Sequence, residues 1–173
     1  VFAQLAGSVD LYKFADGNPM FETYPVDYVN DPMVICQNFK QTSINACLQV
    51  DLKGQVNSET VKGKQFSGIG GQHDFVYGSS RSQGGISFLA MLAKTNKGHN
   101  KIKAHLTSGA GVVTTRFQTQ WIVTEYGAVN LRGRNYAERA KLLISVAAPE
   151  FREELDRAAT ARFGKAYTRL YTM

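Results

Sequence analysis

Runs of apolar residues predict a series of short strands along the first three quarters of the chain. Ser43–Asp51 alternates apolar and polar residues, which is typical of a half-buried strand with Ile44 and Val50 on its apolar face. Ile86–Ala93 is a continuous apolar run and predicts a central strand covered on both faces. Shorter strands are predicted at Phe2–Ala6, Phe21–Tyr24, Val56–Val61, Lys101–Thr107, Gly111–Thr115 and Trp121–Thr124, the last strand of the chain.

Capping residues predict helices on either side of these strands. Ser8 is placed to cap a short helix over Val9–Asp16. Near the C-terminus, Asn135 and Glu138 form a capping-box pattern at the start of a second helix. Pro149 then occupies the first position of a third helix, where its missing N–H does no harm.

The mixture of strands and helices predicts one α/β domain with an open mixed sheet flanked by helices. The segment between Pro25 and Pro32 is predicted to be a turn or loop. The 173 residues, 43% hydrophobic and 20% charged, fit an ordinary globular domain. No apolar run is long enough to cross a membrane, and no signal-peptide pattern begins the chain. Because Val1 leads directly into an apolar stretch without a methionine, we expect a piece of a longer protein.

The net charge of +6 favours anionic partners such as phosphates, CoA or nucleic acid. A basic surface that serves only solubility is an equal alternative. The 20 Lys and Arg residues are scattered without a basic run, so nucleic-acid binding is not expected. The two cysteines, Cys36 and Cys47, have neither disulfide-framework nor zinc-site spacing. We therefore expect reduced thiols, no metal and a cytoplasmic protein without a membrane partner.

A glycine cluster at Ser67–Asp74 is the segment best suited to bind a ligand. Glycine lets the backbone approach a ligand closely, and consecutive exposed N–H groups bind an anion or a developing oxyanion. The spacing is neither that of a Walker loop nor that of the dinucleotide-binding fingerprint, and no helix is predicted directly after it. From the residues alone, a tight turn between strands is the favoured interpretation.

Other side chains are weaker candidates for chemistry. His73 with Asp74 has the groups of a general base and its partner, although a locally bonded histidine is favoured. Glu125 ends an apolar strand, a common place for a catalytic carboxylate in α/β proteins, but we expect it to hold the following turn. His99 and His105 have no companions at metal-ligand spacing.

Several blocks of the sequence resemble the acetyl-CoA hydrolase / 4-hydroxybutyrate CoA-transferase family. They are PVDYVNDPMVI, INACLQVDLKGQVNSE, SGIGGQHDF followed by SQGG, and WIVTEYGAVNLRGRNYAERAKLLISVAAPEFREEL, in family order from about residue 20 to 155. The resemblance implies the C-terminal domain of a CoA-transferase, incomplete at its N-terminus, over residues 1–173. It leaves an acyl-CoA hydrolase of the same family and a non-catalytic CoA- or nucleotide-binding module as alternatives.

The resemblance also implies a ping-pong transfer of CoA through a covalent intermediate. A glutamate carboxylate attacks the thioester, an acyl-glutamyl anhydride forms, and returning CoA makes a glutamyl-CoA thioester whose CoA a second carboxylate accepts. The family's glutamate lies in a His-Thr-Glu-like segment, and nothing in residues 1–173 resembles that segment or the N-terminal domain. We therefore expect no catalytic residue in this chain and no permanently bound cofactor. Acyl-CoA and a small carboxylate are the expected substrates, and the full-length protein is expected to be a homodimer.

Three positions match functional positions of the family, and two further residues of the glycine loop are assigned to the same CoA- or acyl-binding site. The resemblance implies that Asn30 contacts the acyl or carboxylate group and that the Gly71 backbone lies against the thioester. It implies that Ser67 faces the CoA arm, and Gly70 and Gln72 belong to the same loop.

A lysine near CoA is expected after the ISFLAMLA strand. There LAKTNKG replaces the family's Pro-Ser-Thr-Ala-Lys-like segment, and we choose Lys97 over Lys94. Two other positions depart from the family pattern: Ala148 stands where histidine is usual, and His73 stands where an apolar residue is commoner.

Overall fold

The protein, described by a computed structural model over residues 1–168, folds into three sheets with seven helices among those residues. The helices are α1 (Val9–Ala15), α2 (Val26–Val29), α3 (Pro32–Ile35), α4 (Gln72–Arg81), α5 (Tyr136–Ser145), α6 (Pro149–Phe163) and α7 (Lys165–Thr168). The strands are β1 (Thr42–Ala46), β2 (Gln49–Asp51), β3 (Val56–Asn57), β4 (Thr60–Val61), β5 (Lys64–Gln65), β6 (Ile86–Ala90), β7 (Ile102–Lys103), β8 (Trp121–Thr124) and β9 (Gly127–Asn130).

The main sheet is mixed, with strand order β1-β6-β8-β9. β1, β6 and β8 run parallel, and β9 pairs antiparallel with β8. The predicted α/β class with an open mixed sheet is confirmed, and the strand within Ile86–Ala93 does lie inside the sheet. The prediction that this strand is covered on both faces is wrong for the described chain, because Leu89 is buried but Ile86 is 37% exposed. β8 is not the last strand, however, because the chain turns at Tyr126-Gly127 and returns as β9.

Helix α4 follows the glycine cluster directly, so the expectation that no helix begins there is wrong. Its residues lack a regular apolar stripe, but Val76 is buried in the core and Gly78 packs against Ile35 of α3. Tertiary packing therefore supplies what the local pattern does not. Since α4 connects two parallel strands, β1 and β6, its N-terminus lies at the edge of the sheet where those strands end.

The predicted strand over Ser43–Asp51 is two strands in different sheets. β2 pairs with β3 and β7 in a small second sheet, separated from β1 by Cys47-Leu48. The inward face of β1 is also the opposite of the prediction, because Ser43 is buried and Ile44 is 74% exposed. Small serine side chains on this face allow α4 to lie close to β1 and β6.

The N-terminal segment differs most from the prediction. Phe2 forms only an isolated bridge to Thr23 rather than a strand. The segment between Pro25 and Pro32 contains α2, and α3 begins at Pro32 itself, with the Asp31 carboxylate accepting from Met33 N at 2.8 Å. Aspartate before proline is a favourable helix start, a signal that the turn-like composition of the segment concealed.

The C-terminal helices α5 and α6 form as predicted, and α5 packs against β9 of the main sheet. Asn135 and Glu138 make both hydrogen bonds of the capping box at the start of α5. Arg139 on α5 donates to the backbone carbonyls of Arg134, Lys53 and Arg116, which ties three loops to one helix. In the described part of the chain, no helix is long and apolar enough to cross a membrane.

We predict that Gly78→Ala destabilises the domain because α3 and α4 touch at this glycine. Alanine favours a helix by about 1 kcal/mol over glycine, but the added methyl carbon would lie 2.6 Å from Ile35 Cγ2 and 3.3 Å from the Pro32 carbonyl oxygen. We expect a net loss of about 1–3 kcal/mol in the free energy of unfolding, measured in urea. Gly68→Ala is the matched control, since nothing lies within 4 Å of its added carbon. Equal losses in the two variants would contradict the prediction.

Candidate functional site

The glycine cluster forms an exposed loop that ends in a helix start. Residues 61–70 are exposed, and Gly70 takes φ 57°, a conformation that favours glycine. Gly71 is the N-cap of α4 and has no side chain to bond the first N–H groups of the helix. Those N–H groups and the helix dipole favour an anionic group at this point.

Asn30 lies directly over this helix start. It is the C-cap of α2, half-buried, and a side chain on Gly71 would collide with its Nδ2 atom. Asn30 Nδ2 donates to Asp74 Oδ2 at 3.4 Å, which aligns the amide across the first turn of α4. The structure thus brings together Asn30 and Gly71, two of the residues singled out in the sequence.

The side chain of Gln72 faces the interior of the protein. It is buried and donates from Nε2 to Thr114 Oγ1 at 2.9 Å. Thr114 is itself held by a backbone bridge, accepting from Val56 N at 3.0 Å. The side chain of Gln72 therefore anchors the loop. Only the backbone of Gln72 is placed at the helix N-terminus, where a ligand could bind. Sequence reasoning missed Thr114, since a buried polar partner far along the chain leaves no local signal.

Ser67 joins the loop to the β4–β5 hairpin. Its backbone N–H and that of Phe66 donate to the Glu59 carbonyl, while Ser67 Oγ donates to the Gly68 carbonyl. The hairpin is held in turn by buried Asn57, whose side chain bonds the backbone of Thr60 in both directions. Asn57 was also not identified from the sequence.

Lys97 lies in a separate cleft of about 660 Å³. Its lining includes five lysines, at positions 62, 94, 97, 101 and 103, together with apolar Leu48, Val61 and Leu92. None of the five other candidate residues lines this cleft, although the hairpin residue Thr60 does. The hairpin therefore connects the lysine cleft to the glycine loop.

The lysine cleft sits where parallel strands end. Leu48 follows the end of β1 and Leu92 follows the end of β6, so the cleft shares the sheet edge that carries the start of α4. In open α/β sheets this carboxyl edge is the usual place for ligands. The predicted site residues therefore lie at one edge of the main sheet, in two neighbouring features: the glycine loop with the start of α4, and the lysine cleft.

Lys94 and Lys97 differ in what they contact. Lys94 Nζ pairs with Glu150 Oε1 at 2.6 Å; this hydrogen bond raises the pKa of Lys94 and lowers the pKa of Glu150. Lys97 is exposed and has no ion-pair partner among residues 1–168. The free ammonium of Lys97 is thus the better placed of the two for an incoming anion.

The weaker candidates have structural contacts. Glu125 Oε2 accepts from Ala93 N at 2.7 Å, so it holds the chain after β6 rather than the turn that follows it. Tyr126 N donates to Thr124 Oγ1 instead. His73 stacks on Tyr77 one helical turn later, with ring centroids 6.3 Å apart. In residues 1–168 no group of three or more His, Cys, Asp or Glu side chains is arranged to hold a metal ion.

Comparison with known proteins identifies the domain. Residues 7–159 match the acetyl-CoA hydrolase/transferase C-terminal domain. The chain belongs to this family. Over 160 residues it is 47% identical to the 4-hydroxybutyrate coenzyme A transferase of Clostridium kluyveri, a match that covers 92% of this chain and 37% of that protein.

Solved structures agree with the family and fold. RipA from Yersinia pestis superposes on this acetyl-CoA hydrolase/transferase domain with a TM-score of 0.82 and 44% identity, covering 89% of this chain and 35% of that chain. The 4-hydroxybutyrate CoA-transferase of Porphyromonas gingivalis gives 0.76 and 39%, covering 90% and 35%. The domain therefore spans about a third of the length of the relatives it matches.

We predict that the Gln72–Thr114 hydrogen bond stabilises this acetyl-CoA hydrolase/transferase domain. Gln72→Leu and Thr114→Val should each cost about 1–3 kcal/mol, because each leaves a buried polar partner unsatisfied. The double variant should cost less than the sum of the two by about 1 kcal/mol or more. Urea unfolding of the four proteins measures the cycle, and strict additivity would show that the two side chains do not interact.

Proposed function

We propose that this domain is the C-terminal part of a CoA-transferase that moves CoA between an acyl-CoA and a carboxylate through a glutamyl-CoA intermediate. The nucleophilic glutamate is proposed to lie outside residues 1–173, in a preceding part of a cytoplasmic, homodimeric parent protein. The observation that carries the proposal is the meeting of Asn30 and Gly71 at the uncapped start of α4, in a chain of this family.

The start of α4 suits the oxyanion steps of this chemistry. Attack of a carboxylate on a thioester carbonyl gives a tetrahedral oxyanion, which collapses by expelling the CoA thiolate and leaves an anhydride. N–H groups at a helix start and the Asn30 amide are preorganised donors for such an oxyanion. Gly71 presents no side chain between these donors and the reacting carbon.

The lysine cleft suits the nucleotide end of CoA. The phosphate groups of CoA are anionic, and ammonium groups bind phosphate as point charges. Leu48, Val61 and Leu92 give the same cleft an apolar wall for the less polar part of the molecule. Thr60 and Val61 of the hairpin line this cleft, and Ser67 follows the hairpin toward the start of α4, so this segment is our candidate for contact with the pantetheine arm.

Hydrolysis by the same site is the second candidate function. It differs only in whether water or a carboxylate attacks the glutamyl thioester, and exclusion of water decides between them. Two of the three relatives reported above are named CoA-transferases, which favours transfer over hydrolysis.

We predict that the purified 173-residue chain gives no acyl-CoA turnover above background, because the nucleophile is absent from it. Conversion of a donor acyl-CoA into the acyl-CoA of an added acceptor carboxylate, separated by chromatography, measures transfer, and release of free thiol measures hydrolysis; the longer parent protein is the positive control. Efficient turnover by the short chain would overturn the proposal and make Glu125 or Glu59, two carboxylates within the chain, candidates for the nucleophile.

We predict that Gly71→Val in the parent protein lowers kcat/KM by about 100-fold or more, the usual effect of losing an oxyanion donor. The added side chain would displace the Asn30 amide and occupy the space in front of α4. The fold should survive, because Gly71 lies at the end of an exposed loop. Gly68→Ala, which adds a methyl group in open space, should keep its activity. Unchanged kinetics in Gly71→Val would remove this residue from the site.

We predict that Lys97→Ala weakens CoA binding by about tenfold at low salt, as expected for one lost charge-assisted contact. The difference should shrink as ionic strength rises, because the cleft is open and screened. Calorimetric titration of CoA into the protein at two salt concentrations measures both effects. Lys13→Ala on α1, which removes the same charge away from the cleft, should leave the affinity unchanged.

A further inference from the structure

The second face of the main sheet is apolar and open in the described chain. Register places Ile44 beside Phe88 and Phe88 beside Trp121, so these three side chains point to the same side. The whole open face consists of Thr42 and Ile86, then Ile44, Phe88, Trp121 and Asn130, then Ala46, Ala90, Val123 and Ala128. Eight of these ten residues are apolar and none is charged.

Exposure separates the two faces of the sheet clearly. On the covered face, Leu89 and Ile122 are buried beneath helices. On the open face, Ile44 is 74% exposed and Ile86 37%. Phe88 and Trp121 are half-buried, and their rings pack against each other with centroids 5.9 Å apart.

An uncovered face is unusual for strands of this kind. β1, β6 and β8 are parallel, and parallel sheets occur almost only with both faces covered, because exposed apolar strands lose the free energy of burial. A contiguous apolar patch of this kind marks an interaction surface. Its lack of charge argues for an apolar partner rather than an anionic ligand.

The relatives indicate where that partner comes from. The matched family is a C-terminal domain, and the chain covers only 37% of the Clostridium kluyveri transferase. The remaining part of such a protein lies mainly before the C-terminal domain in sequence. We propose that a segment of the parent chain that precedes Val1 packs an apolar layer onto this open face. The inference rests on the longer parent protein of the proposed function.

The experiment measures the accessibility of a thiol on the face. Ile44→Cys is introduced with Cys36→Ser, both in the 173-residue chain and in the parent protein. Native Cys47 does not interfere, because burial raises the pKa of its thiol to about 12. We expect a maleimide or disulfide reagent to label position 44 at least about tenfold more slowly in the parent than in the short chain.

Two further variants make the comparison specific. Ala46→Cys, in the neighbouring row, should show the same protection and guards against a local effect at position 44. Glu153→Cys on α6 is the control, since its side chain is 86% exposed on a helix away from the open face. Its labelling rate should be equal in the two proteins.

The outcomes separate this proposal from the proposed function, because labelling does not depend on turnover. Equal labelling of position 44 in the parent and the short chain would overturn the proposal even in an active parent. Protection that appears in the short chain and grows with its concentration would assign the face to a second copy and also overturn it. A coding sequence that begins at Val1 would do the same.

Discussion

The hydrogen bond between Gln72 and Thr114 fixes the geometry on which the candidate site depends. It joins the first residue of α4 to a segment that is bridged to β3, so the glycine loop is held between two independent parts of the fold. The exposed hairpin and the Asn30 contact also tether the start of α4, and the packing of Gly78 against Ile35 holds the helix further along. A buried amide that bonds inward leaves the backbone N–H groups of the same turn free to face outward. Support and ligand binding are thus divided between the side chain and the main chain of one residue.

The electrostatics of the neighbouring cleft follow from which lysine is already paired. Glu150 at the first turn of α6 is favourably placed with respect to the helix dipole and engages Lys94. This exposed pair adds little to stability but holds the chain after β6 against α6. Glu125 holds the same stretch through the Ala93 N–H. Two carboxylates thereby shape the loop that presents Lys97 while leaving its charge unneutralised.

Features that depend on neighbouring residues were predictable from the sequence. The capping box of α5 and the proline start of α6 formed as predicted, since each is decided within one helical turn. The strand within Ile86–Ala93 also formed where its apolar run indicated. The grouping of Asn30 with Gly71 came from resemblance to a family and not from spacing, because local patterns do not report contacts between distant segments.

Features set by tertiary packing were not predictable. Alternation in Ser43–Asp51 suggested that Ile44 faces inward, but the inward face of β1 is lined by serine because α4 lies close to it. Helix α4 was missed for the same reason, since its stability comes from α3 and the sheet rather than from its own composition. Buried polar supports such as Asn57 and Thr114 gave no signal, because their partners are specified only by the fold.

The contact between Gly78 and Ile35 limits how far the start of α4 can move. Backbone and side chain meet there without an intervening methyl group, so α4 can neither slide along α3 nor rotate about its own axis without a collision. The start of α4 is therefore held in one position. The exposed hairpin on the other side of the glycine loop consists of two strands of two residues each, and its tip at Gly63 rests against the Ser108 carbonyl. We therefore expect any rearrangement of the glycine loop to occur in the hairpin rather than in the first turn of α4.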